Sequence, residues 1–266
     1  MKKYLLSIGL IYLLSFDINA HVDHYSNYNY LEYELFRNNK SIGFHKYNFE
    51  RKGSNLIINN EVSFKITKLG VDLYKYYAKG IEKYDNGIFS SFNSITNQNK
   101  KEKYVNITID PADKDLIIDG SSFKGKVNKD FIIGTWWNHE IVQKKAQISA
   151  VSGRIIEQKV EFKGKADKDI IIGTWWNHEI VQKKAQISAV SGRIIEQKVE
   201  FIGKEDIKIG DKIYKTLRFN FSSSDPSLSK DKKLNTEIWY EENTFLWVKA
   251  AFDKTGYWEY RLKEAK

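Results

Sequence analysis

Residues 52–66 read KGSNLIINNEVSFKI, a turn followed by a strand, and the reading of this stretch decides the fold class. Leu56, Ile58, Val62, Phe64 and Ile66 alternate with Ile57, Asn59, Glu61, Ser63 and Lys65. Successive side chains of a strand point to opposite faces, so the alternation lays one apolar row toward a core and one polar row outward. Lys52-Gly53-Ser54-Asn55 ahead of it supplies residue types that accept the backbone angles of a tight hairpin turn.

The same period recurs outward from there. Leu31, Tyr33 and Leu35 alternate with Glu32 and Glu34, and Val105, Ile107 and Ile109 alternate with Asn106 and Thr108. Ile213, Leu217, Phe219 and Phe221 stand against Tyr214, Thr216, Arg218 and Asn220. Turn signals at Asn38-Asn39-Lys40, Asp85-Asn86-Gly87, Asp119-Gly120, Gly210-Asp211 and Lys254-Thr255-Gly256 separate such runs. The two prolines, Pro111 and Pro226, sit among polar loop residues, where they remove no ladder donor. Sixteen tyrosines, 15 phenylalanines and 7 tryptophans suit pleated, half-buried surfaces. The chain therefore reads as all-β: a curved antiparallel meander, half-barrel or barrel, because long twisted sheets curl or split.

One passage is written twice. Residues 123–161 recur at 162–200, differing only at Val127/Ala166, Asn128/Asp167 and Phe131/Ile170. Within the unit, Trp137, Ile141 and Val142 follow Thr135 at helical spacing, which predicts one short helix per copy over 135–146 with Thr135 as its cap. A hairpin should follow, Gln147–Val151 and Arg154–Phe162 about Ser152-Gly153. Two units fall short of a stacking array. One copy is thus expected to fill a slot in the sheet while the other extends the sheet or stands off it. A copy standing off would expose two tryptophans and a strand edge, which favours self-association. Deleting 162–200 would then leave the fold no less stable.

The first twenty residues look like an export signal. Lys2 and Lys3 precede an apolar run from Tyr4 to Phe16, and Ile18-Asn19-Ala20 resembles a cleavage site. The run is shorter than a bilayer span. Residues 21–266 then form a single β-rich domain that contains the duplication. No cysteine is present, so neither disulfides nor a lipidated cysteine are available, and the expected localisation is periplasmic or secreted. Net charge is +9, falling to +8 without residues 1–20. The lysine runs at 100–103 and 230–233 read as solvated turns. No groove-reading motif accompanies the charge, so nucleic acid is not an expected partner, while anionic lipid head groups stay open.

Complete catalytic constellations are missing. His139-Glu140-Ile141-Val142-Gln143 and its copy at His178 begin like a helical zinc-protease motif, but glutamine stands where the second histidine is required. Cleavage after Ala20 would free His21 as an N-terminal residue near His24, a candidate copper site with His45 as third ligand. There is no Gly-x-Ser-x-Gly elbow or P-loop, and the Glu241-Glu242 pair sits at a turn. No cofactor is implied. The tryptophan pairs weigh more. Neighbouring residues face opposite ways, so one of each pair should plug the interior while the other stays half exposed. Trp136, Trp137, Trp175, Trp176, Tyr74, Tyr76 and Trp239 are the candidate lining of an apolar ligand site.

Several landmarks in order carry a resemblance. They are Gly43 with Tyr47 and Phe49, Tyr84-Asp85-Asn86-Gly87, the Trp-Trp-Asn segment, Ser-Gly-Arg, Ile238-Trp239-Tyr240, and Gly256 with Tyr260 and Leu262. Together they resemble the exported bacterial domain of unknown function 6134, akin to the 3108 family, over residues 28–264 with one repeat copy removed. The resemblance implies a curved antiparallel sheet reminiscent of lipoprotein-carrier half-barrels, and no catalytic residue. The reading that follows is a non-enzymatic exported protein whose sheet binds an apolar or amphipathic ligand, such as a lipid. Its alternatives are an envelope-interaction protein using a sheet edge or the repeat unit, and a metal-dependent enzyme or copper binder.

Overall fold

A computed structural model describes residues 25–135, 137, 146–157, 170–172, 175–187, 194–229, 233–253 and 255–266. The N-terminal half is a run of hairpins: β1 (Tyr30–Arg37), β2 (Lys40–Lys52), β3 (Asn55–Lys68), β4 (Val71–Asp85), β5 (Ile88–Gln98), β6 (Lys101–Ile109), β7 (Leu116–Gly120) and β8 (Lys124–Val127). The first repeat copy contributes β9 (Ile132–Ile133), β10 (Ala146–Ile148) and β11 (Ile155–Glu157). The second contributes β12 (Ile170–Ile172), β13 (Ala185–Ile187) and the start of β14 (Ile194–Ile209). The chain closes with β15 (Lys212–Ser223), β16 (Asn235–Glu241), β17 (Trp247–Asp253) and β18 (Tyr257–Ala265).

Fifteen of these strands form one sheet in the order β12-β13-β14-β15-β16-β17-β18-β1-β2-β3-β4-β5-β6-β7-β8. The chain ends meet inside it, where β1 pairs with β18 from Leu31 opposite Ala265 to Arg37 opposite Trp258. Bulges at Glu32/Tyr33, Leu35/Phe36, Ile66/Thr67 and Lys83/Tyr84 bend the strands locally. The sheet is all-β and almost wholly antiparallel, as the alternation predicts, but it is open. β12 and β8 are its two ends, so no closed barrel forms among the described residues.

Both repeat copies adopt one topology at the 39-residue offset. β9 pairs parallel with β10 and β10 antiparallel with β11; β12, β13 and β14 repeat this in order. The second copy extends the large sheet through β14, whereas the first is a separate three-stranded sheet. The parallel pair departs from the expected meander. Parallel neighbours need a crossover of a dozen or so residues, and the Gly-Thr-Trp-Trp segment supplies it.

That crossover is not the expected helix. In the second copy it holds only a 3-10 helix at His178–Gln182. Its cap is Asn177, which accepts a hydrogen bond from the Glu179 backbone N–H at 3.0 Å, rather than the expected threonine. Trp176 must enter the core on one side and Ala185 must be extended on the other. The span between them is too short for an α-helix to repay its nucleation cost. In the first copy the corresponding residues 138–145 lie outside the described residues.

The expected inner rows hold for most strands. Leu31, Tyr33 and Leu35 are fully buried, as are Val105 and Ile107. β15 is the exception: Ile213 is 58% exposed, while Tyr214 and Thr216 are buried along with Phe221. β16 stops pairing at Thr216 opposite Glu241, and beyond it β15 runs beside β14 alone. There its other face, carrying Tyr214 beside Tyr28, is the covered one.

Neither described copy stands off. Trp137 and Trp176, which correspond at the 39-residue offset, are both buried. Trp176 packs against Tyr25, Tyr47 and Trp247 at ring distances of 4.7, 4.6 and 6.0 Å. Ile133 and Ile148 of the first copy join Phe92, Val105, Ile107, Leu116 and Ile118 in a second core cluster. The expectation of a copy with two exposed tryptophans fails, because identical apolar patterns demand identical burial.

Candidate functional site

The pairing of β2 to β5 sets rows of side chains across the sheet. His45, Val62, Ala78 and Thr96 lie in register, and beside them Tyr47, Asn60, Gly80 and Ser94. The middle members of both rows are small, while Tyr47, Tyr76 and Phe92 around them are large. When the first repeat copy lies over this patch, the small residues leave space unfilled. A cavity of about 240 Å³ results, with Gly134, Thr135, Gln147, Ala150 and Val151 among the residues of its roof. Ser94 Oγ donates to the Ala150 carbonyl at 2.5 Å and ties roof to floor.

The polar groups of this cavity are unusual. Gln147 is wholly buried, and neither its amide nitrogen nor its oxygen has a hydrogen-bond partner among the described residues. Its counterpart Gln186 is also buried but donates to Gln197 Oε1 at 2.8 Å, and Gln197 in turn donates to the Ile180 and Lys183 carbonyls. One residue in two copies is thus satisfied in one seat and left open in the other. An unmet buried amide costs more than its bond would return, and Gln158, the first-copy counterpart of Gln197, lies outside the described residues.

His45 is the second open group. It is 5% exposed, and burial holds its pKa down to about 4. Asn60 Nδ2 lies 3.2 Å from Nε2, which places the ring proton on Nδ1, an atom with no partner among the described residues. The neutral ring therefore keeps a buried, unmet donor within the lining of the cavity. Arg154 stands exposed among its lining residues, Lys79 directs its side chain to the opposite face of the sheet, and no carboxylate lines it among the described residues.

Beside the cavity, Glu82 is 3% exposed and accepts from Trp137 Nε1 at 2.9 Å and from the Tyr84 hydroxyl. Burial raises its pKa despite these donors. The two groups give opposite pH dependences. The unfolded chain protonates His45 first as pH falls, so stability present above about pH 6.5 is lost toward pH 4. A gap of that size corresponds to about 3 kcal/mol. Glu82 works against it, because the unfolded chain loses that proton first as pH rises. Urea unfolding at pH 7 and pH 4.5 should show the wild type losing more stability than His45→Gln; equal losses would assign the acid sensitivity elsewhere.

The remaining candidates are dispersed. Tyr76 lines the cavity, and Tyr74 stacks with Phe64 and accepts from Gln98 Nε2 at 2.7 Å. Trp175 is half-buried against Trp247, Phe252 and Tyr260, and Trp176 plugs the core beside it. Trp239 lies away from the cavity. It donates to Glu205 Oε2 at 2.8 Å and is covered by the Arg218 and Lys249 cations, whose alkyl stems bury it. Trp136, His21, His24 and the His139-Glu140 motif lie outside the described residues. His178, in the copied motif, stacks on Phe245 at 4.3 Å. No group of three or more His, Asp or Glu side chains able to hold a metal occurs among the described residues. Gln147, Asn60 and Ser94 were missed by sequence reasoning, since a glutamine in a strand carries no sign of whether its partner is present.

Comparison with solved structures finds a β-barrel-like protein of domain of unknown function DUF1849 from Brucella abortus, at 10% identity and a TM-score of 0.45. The match covers 89% of this chain and 96% of that one. No curated protein matches. The family model of the domain of unknown function DUF6134 matches twice, over residues 33–169 and 161–263, and each match contains one copy of the repeat. The chain belongs to the DUF6134 family and carries its mid-chain unit in duplicate.

Proposed function

We propose that the protein is an exported, non-enzymatic carrier whose curved half-barrel sheet holds a small amphipathic ligand in the cavity beneath the first repeat copy. The observation that carries this reading is the cavity itself, whose lining includes Gln147, buried with both amide atoms unpartnered among the described residues. Tyr47, Tyr76, Val62 and Phe92 supply apolar walls, while Gln147 and His45 Nδ1 meet a polar group. Arg154, exposed among the lining residues, favours an anionic head. Ligand clefts for drug-sized molecules run to about 300–1,000 Å³, so about 240 Å³ suits a single acyl chain or a compact amphiphile. Export rests on residues 1–20 and the lack of cysteine.

Native mass spectrometry of protein purified from its own host should show a bound small molecule that Ala78→Leu, which fills the cavity, excludes. Gln147→Leu should lose it too, yet raise the stability of the empty protein by about 1–3 kcal/mol by removing an unmet amide. An interior holding water alone would overturn the reading. A second reading, self-association through the duplicated unit, draws on β12, a free edge of sequence Ile-Ile-Ile. Light scattering that reports a monomer at high concentration would dismiss it.

A further inference from the structure

The β3–β4 hairpin runs past its pairing with β2 and β5. β2 pairs with β3 only as far as Phe64, and β5 pairs with β4 only from Tyr76. The four residues 65–68 therefore run on unpaired with β2, about 13 Å at strand rise, while β2 continues to Lys40 paired with β1 alone. At the tip Leu69 is 95% exposed, Val71 62% and Leu73 56%. Apolar side chains so exposed gain nothing for the fold.

The backbone makes the choice of leucine stranger. The two-residue turn places Leu69 at φ 49° and Gly70 at φ 79°. Left-handed angles suit Asn, Asp or Gly and are strained for a bulky side chain. Asn38, Asn86 and Asn99 follow this rule in the turns of β1–β2, β4–β5 and β5–β6, while Phe245 and Thr255 share the left-handed angle in the turns of β16–β17 and β17–β18. Leu69 differs from Phe245 in being 95% exposed, against 37%. Strain of this kind persists where it serves a function.

Positive charge surrounds the tip. Lys65, Lys68 and Lys75 flank it, and Asp72 answers them as the single carboxylate of residues 65–75, pairing with Lys75 at 2.8 Å and Lys65 at 3.6 Å. The β5–β6 turn lies alongside, since the Lys75 N–H donates to Asn99 Oδ1 at 2.8 Å and the Asn99 N–H donates back to the Lys75 carbonyl at 3.0 Å. That turn adds Lys100 and Lys101 against Glu102. An apolar point ringed by lysines matches one kind of surface: hydrocarbon beneath a layer of phosphate.

We propose that this hairpin is a membrane-docking element, inserting Leu69 and Val71 among the head groups of a bilayer that bears anionic lipids. The lysines supply attraction to the surface, and the leucine and valine supply depth. The inner row Tyr74, Tyr76 and Phe64, stacked at 5.8 and 5.3 Å, runs from the hairpin to the cavity edge at Tyr76. Docking does not depend on the cavity being occupied.

The test is flotation of the full chain with vesicles of phosphatidylglycerol and phosphatidylcholine, beside vesicles of phosphatidylcholine alone. Anionic vesicles should carry the protein, less so as salt rises. Leu69→Asn should lower the partition about tenfold, the worth of one leucine burial. Because asparagine relieves the turn, this variant should melt no lower than wild type, so lost binding cannot reflect lost folding. Binding that is unchanged in Leu69→Asn comes from elsewhere, the apolar stretch 4–16 included, and overturns the proposal. So do absence of binding, equal binding to neutral vesicles, and tip-dependent self-association without vesicle binding.

Discussion

Trp176→Ala should destabilise the protein by about 3–5 kcal/mol, the cost of removing a large buried aromatic side chain and leaving a cavity. Its indole reaches Tyr25, Tyr33, Tyr47 and Trp247, which come from the N-terminal segment, β1, β2 and β17. One side chain of the second repeat copy thus packs the N-terminal segment onto β1, β2 and β17 of the sheet. Trp137→Ala should cost a similar amount for an added reason, since it strips a hydrogen-bond donor from the buried Glu82. Urea unfolding would measure both, and a loss below about 1 kcal/mol for either would deny that copy a structural seat. Deleting residues 162–200 removes one of two near-identical units, so a single unit would have to serve two seats. The deletion should therefore destabilise at least as much as the worse tryptophan variant, contrary to the expectation from the repeat read alone.

Gly43→Ala should cost about 3 kcal/mol or more through backbone collision. A methyl group at Gly43 would lie 2.0 Å from the Ser63 carbonyl oxygen and 2.6 Å from the Phe64 Cα, both on the paired strand β3. Backbone atoms cannot turn aside as a side-chain tip can, so β2 and β3 would have to separate next to the bulge at Leu35/Phe36. Gly80→Ala is the control. Its methyl group would meet Phe92 at 3.4 Å, an ordinary contact, and alanine loses less entropy than glycine on folding. Thermal melts should place Gly80→Ala at or above wild type and Gly43→Ala far below it. Equal melting would show that β2 and β3 do not approach so closely.

The fold was legible where a pattern is local. Leu31, Tyr33 and Leu35 alternate with charged residues, and a strand has only two faces on which to put them. Asn86-Gly87 and Asn38-Asn39 mark turns because few residues accept positive φ. Legibility failed where a second element decides. The apolar spacing of Trp137, Ile141 and Val142 suits a helix, but Trp176 and β13 leave the crossover room only for a 3-10 turn. Ile213 reads as inner and Tyr214 as outer, yet β16 ends at Thr216 and changes which face is covered.

The candidate site shows the limit most plainly. Period-two alternation, turn residues and aromatic content determined by themselves that this chain is a long antiparallel sheet, because strand geometry leaves alternation one meaning. Tertiary structure alone decided what each copy of the duplicated passage does. Gln147 and Gln186 have the same neighbours in sequence over nearly forty residues, so no local rule can separate them. One is held by Gln197 inside the extended sheet; the other is buried without a partner among the described residues, in the lining of the cavity above Ala78 and Gly80. The difference is made by what lies across the space from each, and contacts between distant segments are not written in the order of residues within either.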